Sequence, residues 1–106
     1  MSDVGQAPQA LHPRALAGRV AVVTGAGSGI GRATCQALGA GGARVVAVGR
    51  QAETLAQTCS ALDGRGTPLV ADVLAPDWPS ALDPIAPAID LYVGAAASYP
   101  PYRRAE

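Results

Sequence analysis

Apolar and polar residues alternate along this chain in blocks rather than singly. Val20 to Val23 is an unbroken run of small and β-branched apolar residues, the pattern of a strand covered on both faces in a parallel sheet. Arg44 to Val48, Thr67 to Ala71 and Asp90 to Val93 predict three more short strands. From Ile30 onward, Ile30, Ala33, Ala37 and Leu38, with Thr34 on the same side, follow the stripe spacing of an amphipathic helix, which Gly39, Gly41 and Gly42 end. Gln51 to Leu62 repeats the stripe through Ala52, Leu55, Ala56 and Cys59, and Asp63 and Gly64 close it. Between the third and fourth strands, Pro76, Pro79, Pro84 and Pro87 forbid a long helix. The first three can each open a turn, so one or two brief helical pieces are expected there.

Strand, helix, strand, helix, strand, broken helix, strand is the order of parallel strands joined by right-handed crossovers, and it predicts a three-layer α/β fold. Crossovers from the first to the third strand put both regular helices on one face. Only the proline-broken segment is then left to shelter the other face, and the fourth strand keeps an unpaired outer edge. A length of 106 residues suits one small domain. Residues 1–18 read as a loose arm and 19–106 as the domain, expected to be incomplete at its C-terminal end.

Charge narrows the choice of partners. Eight basic and eight acidic side chains cancel and are scattered along the chain, which indicates neither nucleic acid nor an anionic membrane. Met1 to Gly18 contains two prolines and no apolar run of seven, so neither a signal peptide nor a membrane span is expected, and a cytoplasmic protein follows. Cys35 and Cys59 both fall in helical patterns and are expected to be reduced and half-buried. His12, beside Pro13 in the arm, has no metal-ligand spacing around it. Trp78, between Asp77 and Pro79, is expected to cap a hydrophobic edge.

Candidate chemistry lies between the first strand and the first helix. There the chain reads Thr24-Gly25-Ala26-Gly27-Ser28-Gly29-Ile30-Gly31. A strand running into a glycine-rich turn and then a helix gathers free N–H groups at the positive end of the helix dipole, which is a phosphate site. Gly25 lets the chain turn off the strand, Gly29 permits close approach of a diphosphate, and Gly31 allows close helix packing. The G-x-G-x-x-G spacing fails, because Ile30 follows Gly27 by three and Arg32 follows Gly29 by three. At the end of the second strand stands Val48-Gly49-Arg50, with no carboxylate to meet a ribose hydroxyl. Arg50 can instead clamp a 2′-phosphate, so NADP is expected in preference to NAD; the alternative is a helix-start arginine in solvent.

The string Thr24-Gly25-x-x-x-Gly29-Ile30-Gly31 resembles the cofactor signature of the short-chain dehydrogenase/reductase family, and the resemblance extends over about Arg19 to Ser98. It implies a Rossmann-type sheet, here of about four strands, and cofactor contacts at Thr24, Gly25, Gly27, Ser28, Gly29, Ile30 and Gly31. Asp72-Val73, after the third strand, looks like the family's Asp-Val pair at the adenine pocket, although a lone Asp also serves as a cap or turn former. The family's Asn-Asn-Ala-Gly stretch after the fourth strand is replaced by Gly94-Ala95-Ala96-Ala97. Contact with the nicotinamide end at Gly94, Ala95 and Ala96 would then be through backbone.

The same resemblance implies hydride transfer between a nicotinamide cofactor and a small carbonyl or alcohol substrate, driven by a Tyr-x-x-x-Lys pair and a serine. The chain contains no lysine. Tyr99 and Arg103 have that spacing, but Pro100 and Pro101 forbid the helix and arginine is no proton relay. Tyr99 to Glu106 reads as a surface loop, and Ser98 comes too early for the family's serine. The expectation is a cofactor-binding portion of an oxidoreductase, truncated before its catalytic residues. Alternatives are a non-catalytic dinucleotide-binding module, docking through its open edge on a partner or in a homo-oligomer, and a fragment that does not fold unaided.

Overall fold

The computed structural model describes residues 14–86 and 88–95. Most of the N-terminal arm, Pro87, and 96–106, with Ala96 and the Tyr99 to Glu106 segment, lie outside the described residues. Four strands form one sheet: β1 (Val20–Thr24), β2 (Arg44–Gly49), β3 (Gly66–Val70) and β4 (Leu91–Gly94). Two helices, α1 (Gly29–Ala40) and α2 (Ala52–Ser60), follow β1 and β2. A 3-10 helix, Trp78–Leu82, with Pro79 in its first turn, stands in the proline-broken stretch. β3 sits one residue earlier in the chain than its apolar run suggested and β4 one residue later, because Gly66 pairs with Val45 and Gly94 with Thr24.

The sheet runs β3-β2-β1-β4 with every pairing parallel. Its two central strands carry the core. Val22, Val23, Val45, Val46 and Val48 are fully buried, each contributing about 1.5–3 kcal/mol relative to exposure. Alternation divides them between two faces. Val23, Val45 and Ala47 pack with Cys35, Leu55 and Leu62 under the helices. Val22, Val46 and Val48 pack with Leu82 and Ala86 of the proline-rich segment, and Trp78, Val73 and Ile85 join them half-buried. Both regular helices therefore share one face, and the broken segment shelters the other, with Trp78 packed at its margin. The Asp90 carboxylate ties the start of β4 to the sheet, accepting from the Val20 amide at 2.8 Å and pairing with Arg19 at 3.6 Å. Among the described residues no strand pairs with the outer edge of β4, and Leu91 and Tyr92 are exposed.

The helices turn a different face inward from the one the apolar stripe suggested. Ile30 is 78% exposed and Ala33 and Ala37 face solvent, whereas Gly31, Cys35 and Gly39 are the buried positions of α1. A Cβ on Gly31 would overlap the Gly25 carbonyl oxygen and stand 3.0 Å from the Ala26 Cα, so α1 approaches through its smallest residues. In α2, Ala52 and Ala56 are exposed, and the inward side chains are Leu55, Thr58 and, half-buried, Cys59. Counting apolar residues ranks an alanine above a glycine or a threonine. Close packing reverses that order wherever backbone must meet backbone.

Candidate nucleotide site

At the carboxyl edge of the sheet the chain reverses its lateral order: β1 leads outward through β2 to β3, and β4 then returns to the far side of β1. In open α/β sheets such a reversal leaves a crevice beyond the strand ends. The described candidate residues gather around it. Thr24 ends β1, Gly25 to Gly31 form the turn into α1, Arg50 follows β2, Asp72 and Val73 follow β3, and Gly94 ends β4 with Ala95 just after it. The Ala26 amide donates to Val48 O (3.1 Å), that of Ala71 to Gly49 O (2.8 Å) and that of Ala95 to Thr24 O (3.2 Å), so backbone bonds tie these ends together.

The turn's conformation comes from its glycines. Gly25 and Gly29 adopt φ +67° and +59°, in the left-handed region that L side chains avoid. Ser28 stands at the N-cap of α1 in extended conformation, and its hydroxyl caps no amide. Among the described residues, the amides of Gly27, Ser28, Gly29, Ile30 and Gly31 have no hydrogen-bond acceptor. These are five successive N–H donors gathered at the positive end of the α1 dipole, an arrangement suited to an anion.

Residues that composition did not single out fix the rest of the turn. Thr58 of α2 is fully buried, and its hydroxyl donates to Ala26 O at 2.8 Å. Arg32 of α1 reaches across, with Nε donating to Thr58 Oγ1 at 3.0 Å and Nη2 to Gly27 O at 2.6 Å. Thr54 lies against the same loop, where a Cβ on Gly27 would be 2.5 Å from its hydroxyl oxygen. The legible signal was the i, i+4 spacing of Thr54 and Thr58 on the inward side of α2.

Other candidates have more ordinary surroundings. Arg50 is exposed and has no hydrogen bond or ion pair among the described residues. Asp72 is exposed and accepts from the Leu74 amide at 2.9 Å, an Asx-type turn. Val73 is half-buried against the second core cluster. Cys35 and Cys59 are free thiols; Cys35 is fully buried rather than half-buried, because it sits on the inward face of α1. Burial pushes its thiol up to about 11, with Cys59 adding to the shift, and burial also raises Cys59. At the opposite edge of the sheet, a shallow cavity of about 330 Å³ is lined by Arg19, Arg44 and Arg65. Arg19 already pairs with Asp90, and Arg44 donates to Ile85 O at 3.1 Å. No helix among the described residues is long and apolar enough to cross a membrane.

Comparison with known proteins converges on this architecture. A family model described as short chain dehydrogenase matches residues 19–81. The chain is 46% identical over 88 residues to L-xylulose reductase of Homo sapiens, an alignment covering 77% of this chain and 33% of that protein. It is 53% identical over 55 residues to an uncharacterized oxidoreductase of Mycobacterium tuberculosis, covering 52% of this chain and 21% of the other. Among solved structures, a citronellol catabolism dehydrogenase of Pseudomonas aeruginosa superposes with a TM-score of 0.74 at 30% identity, over 80% of this chain and 38% of that one. Glucose dehydrogenase of Caenorhabditis elegans gives 0.69 at 29% identity, over 82% and 41%. The chain spans about a third of the length of the reductases it matches.

Proposed function

Because the chain belongs to the short-chain dehydrogenase family, we propose that its glycine-rich turn holds the diphosphate of a nicotinamide dinucleotide, NADP in preference to NAD. The observation that carries this reading is the row of amides from Gly27 to Gly31, which have no acceptor among the described residues and offer donors to phosphate oxygens. Thr24 and Gly25 deliver the chain into that turn, and Ile30 stands exposed beside it.

Arg50 supports the choice of NADP. It leaves β2 beside the turn, exposed and without a partner among the described residues, while Gly49 before it is held small by Leu55, whose Cδ2 would stand 3.1 Å from a Cβ there. Asp72 and Val73 mark the adenine side, where the Asp72 carboxylate also orders its own turn. Gly94 and Ala95 offer backbone to the nicotinamide end, and Ala96, the next proposed contact, lies outside the described residues. The named activities of the relatives, reductase and dehydrogenase, support hydride transfer with a carbonyl or alcohol substrate in the whole protein. On this reading the stretch in hand supplies the cofactor grip. A lysine-assisted tyrosine must come from elsewhere, since there is no lysine in these 106 residues.

Fluorescence titration tests the reading. NADPH is expected to saturate the protein with a lower Kd than NADH. A folded sample that binds neither nucleotide would overturn it.

A further inference from the structure

The carbonyls of Ala26 and Gly27 lie inside the glycine-rich turn, and side chains from two different helices hold them. Thr58 has one hydroxyl proton, and the 2.8 Å contact to Ala26 O takes it in preference to the 3.2 Å contact to Thr54 O within α2. Its oxygen then accepts from Arg32 Nε at 3.0 Å, while Arg32 Nη2 donates to Gly27 O at 2.6 Å. Arginine, hydroxyl and two successive carbonyls thus form one connected network, with its central atom fully buried.

Peptide planarity gives the network its consequence. In a trans peptide the C=O of one residue and the N–H of the next point in opposite directions. Directing Ala26 O toward α2 therefore turns the Gly27 N–H away from α2, and directing Gly27 O onto the guanidinium turns the Ser28 N–H the other way. These two amides begin the unpaired row. A loop this rich in glycine has the conformational freedom to rotate such peptides, and rotation would scatter the donors. Thr58 and Arg32 remove that freedom before any ligand arrives, and preorganisation of this kind lowers the cost of binding.

We infer that Thr58 and Arg32 are positioning residues for the diphosphate of the dinucleotide: they aim the Gly27 and Ser28 amides and do not themselves touch the ligand. This rests on the nucleotide reading of the turn. It assigns Arg32, one residue beyond the glycine string, to the loop's carbonyls and not to phosphate. It also makes α2 a common support, since Arg50 stands two residues before its first residue, Ala52, and Thr58 lies near its end. The network acts on the diphosphate, which NADPH and NADH share, so its loss must weaken both nucleotides equally.

The test uses the full chain and four variants, each measured well below its own Tm. Thr58→Val keeps the shape and loses the hydroxyl; Thr58→Ser keeps the hydroxyl. Arg32→Met keeps the stem and loses the donors; Arg32→Lys keeps the charge but cannot bridge both partners. NADPH and NADH affinities are expected to fall by about tenfold together in Thr58→Val and Arg32→Met, the size of one lost internal hydrogen bond. Thr58→Ser should recover most of the loss, and Arg32→Lys should not. In nucleotide-free amide NMR spectra, the Gly27 and Ser28 resonances should move in Thr58→Val while those of Gly66 and Val46 stay in place. Wild-type affinity in folded Thr58→Val and Arg32→Met, or a loss confined to NADPH, overturns the inference. If Thr58→Val does not fold, Arg32→Met and Thr58→Ser carry the same comparison. Should the wild-type chain bind neither nucleotide, the functional reading fails, and unmoved Gly27 and Ser28 resonances would separately refute the positioning.

Discussion

The hydroxyl of Thr24 is buried without a hydrogen-bond partner among the described residues, and it faces Gly94 across the β1–β4 pair, where a Cβ would stand 3.8 Å from it. A buried hydroxyl that bonds to nothing costs free energy that an apolar group of the same shape does not. Thr24→Val is expected to raise stability by about 1 kcal/mol, read as a higher urea midpoint. Gly94→Ser has room for its Cβ and brings a partner toward the hydroxyl. It should stabilise the wild-type background and do less for Thr24→Val, and a double-mutant cycle measures that difference. A drop in midpoint for Thr24→Val would show that the hydroxyl is satisfied in solution.

Arg50 sets a prediction on cofactor choice. Removing a charge-assisted clamp on a 2′-phosphate should cost about tenfold to a hundredfold in affinity. Arg50→Ala is therefore expected to weaken NADPH by that factor and to leave NADH nearly unchanged in the same titration. Equal losses for the two would remove the preference for NADP.

Gly31 and Gly94 make opposite predictions for the same substitution. At Gly31 an alanine Cβ would overlap the Gly25 carbonyl, so backbone must move. Gly31→Ala is expected to cost about 1–3 kcal/mol by urea unfolding and to weaken nucleotide binding through the displaced turn. Gly94→Ala meets only atoms at ordinary contact distance and should unfold close to the wild type. Similar midpoints for the two variants would contradict the packing described between α1 and the turn.

Cys35 predicts a loss of stability in alkali. Its folded-state value of about 11 lies above the 9.0 of a free thiol, so the unfolded chain gives up this proton first as pH rises. The stability tied to the neutral thiol is therefore complete below pH 9 and is lost as pH climbs toward 11. The slope should be about 1.4 kcal/mol per pH unit for one proton. Denaturant midpoints measured across that window are expected to fall, and Cys35→Ala should show a smaller fall. Parallel curves for the two proteins would place the effect on other groups.

The order of elements and the parallel sheet were legible because block patterning and glycine punctuation are local. Val20 to Val23, Arg44 to Val48 and the turn between Thr24 and Gly31 needed no knowledge of their neighbours. The same local reading misjudged α1, where Ile30, Ala33 and Ala37 turned outward and Gly31, Cys35 and Gly39 inward. A stripe records which side chains prefer burial. It does not record how near the backbones must come, and near the turn that distance selected glycine.

By itself, the amino-acid sequence determined where strands, helices and the glycine-rich turn lie, because each follows from neighbouring residues: buried runs for strands, glycine for positive φ, proline for the interrupted crossover. Tertiary structure alone decided which atoms control that turn. Thr58, Arg32 and Ala26 are brought together from α2, α1 and the loop across 26 to 32 positions of chain. Only the docking of the two helices on one face of the sheet supplies that proximity. No spacing rule acts over such a separation, because the intervening β2 strand and its connections set the geometry.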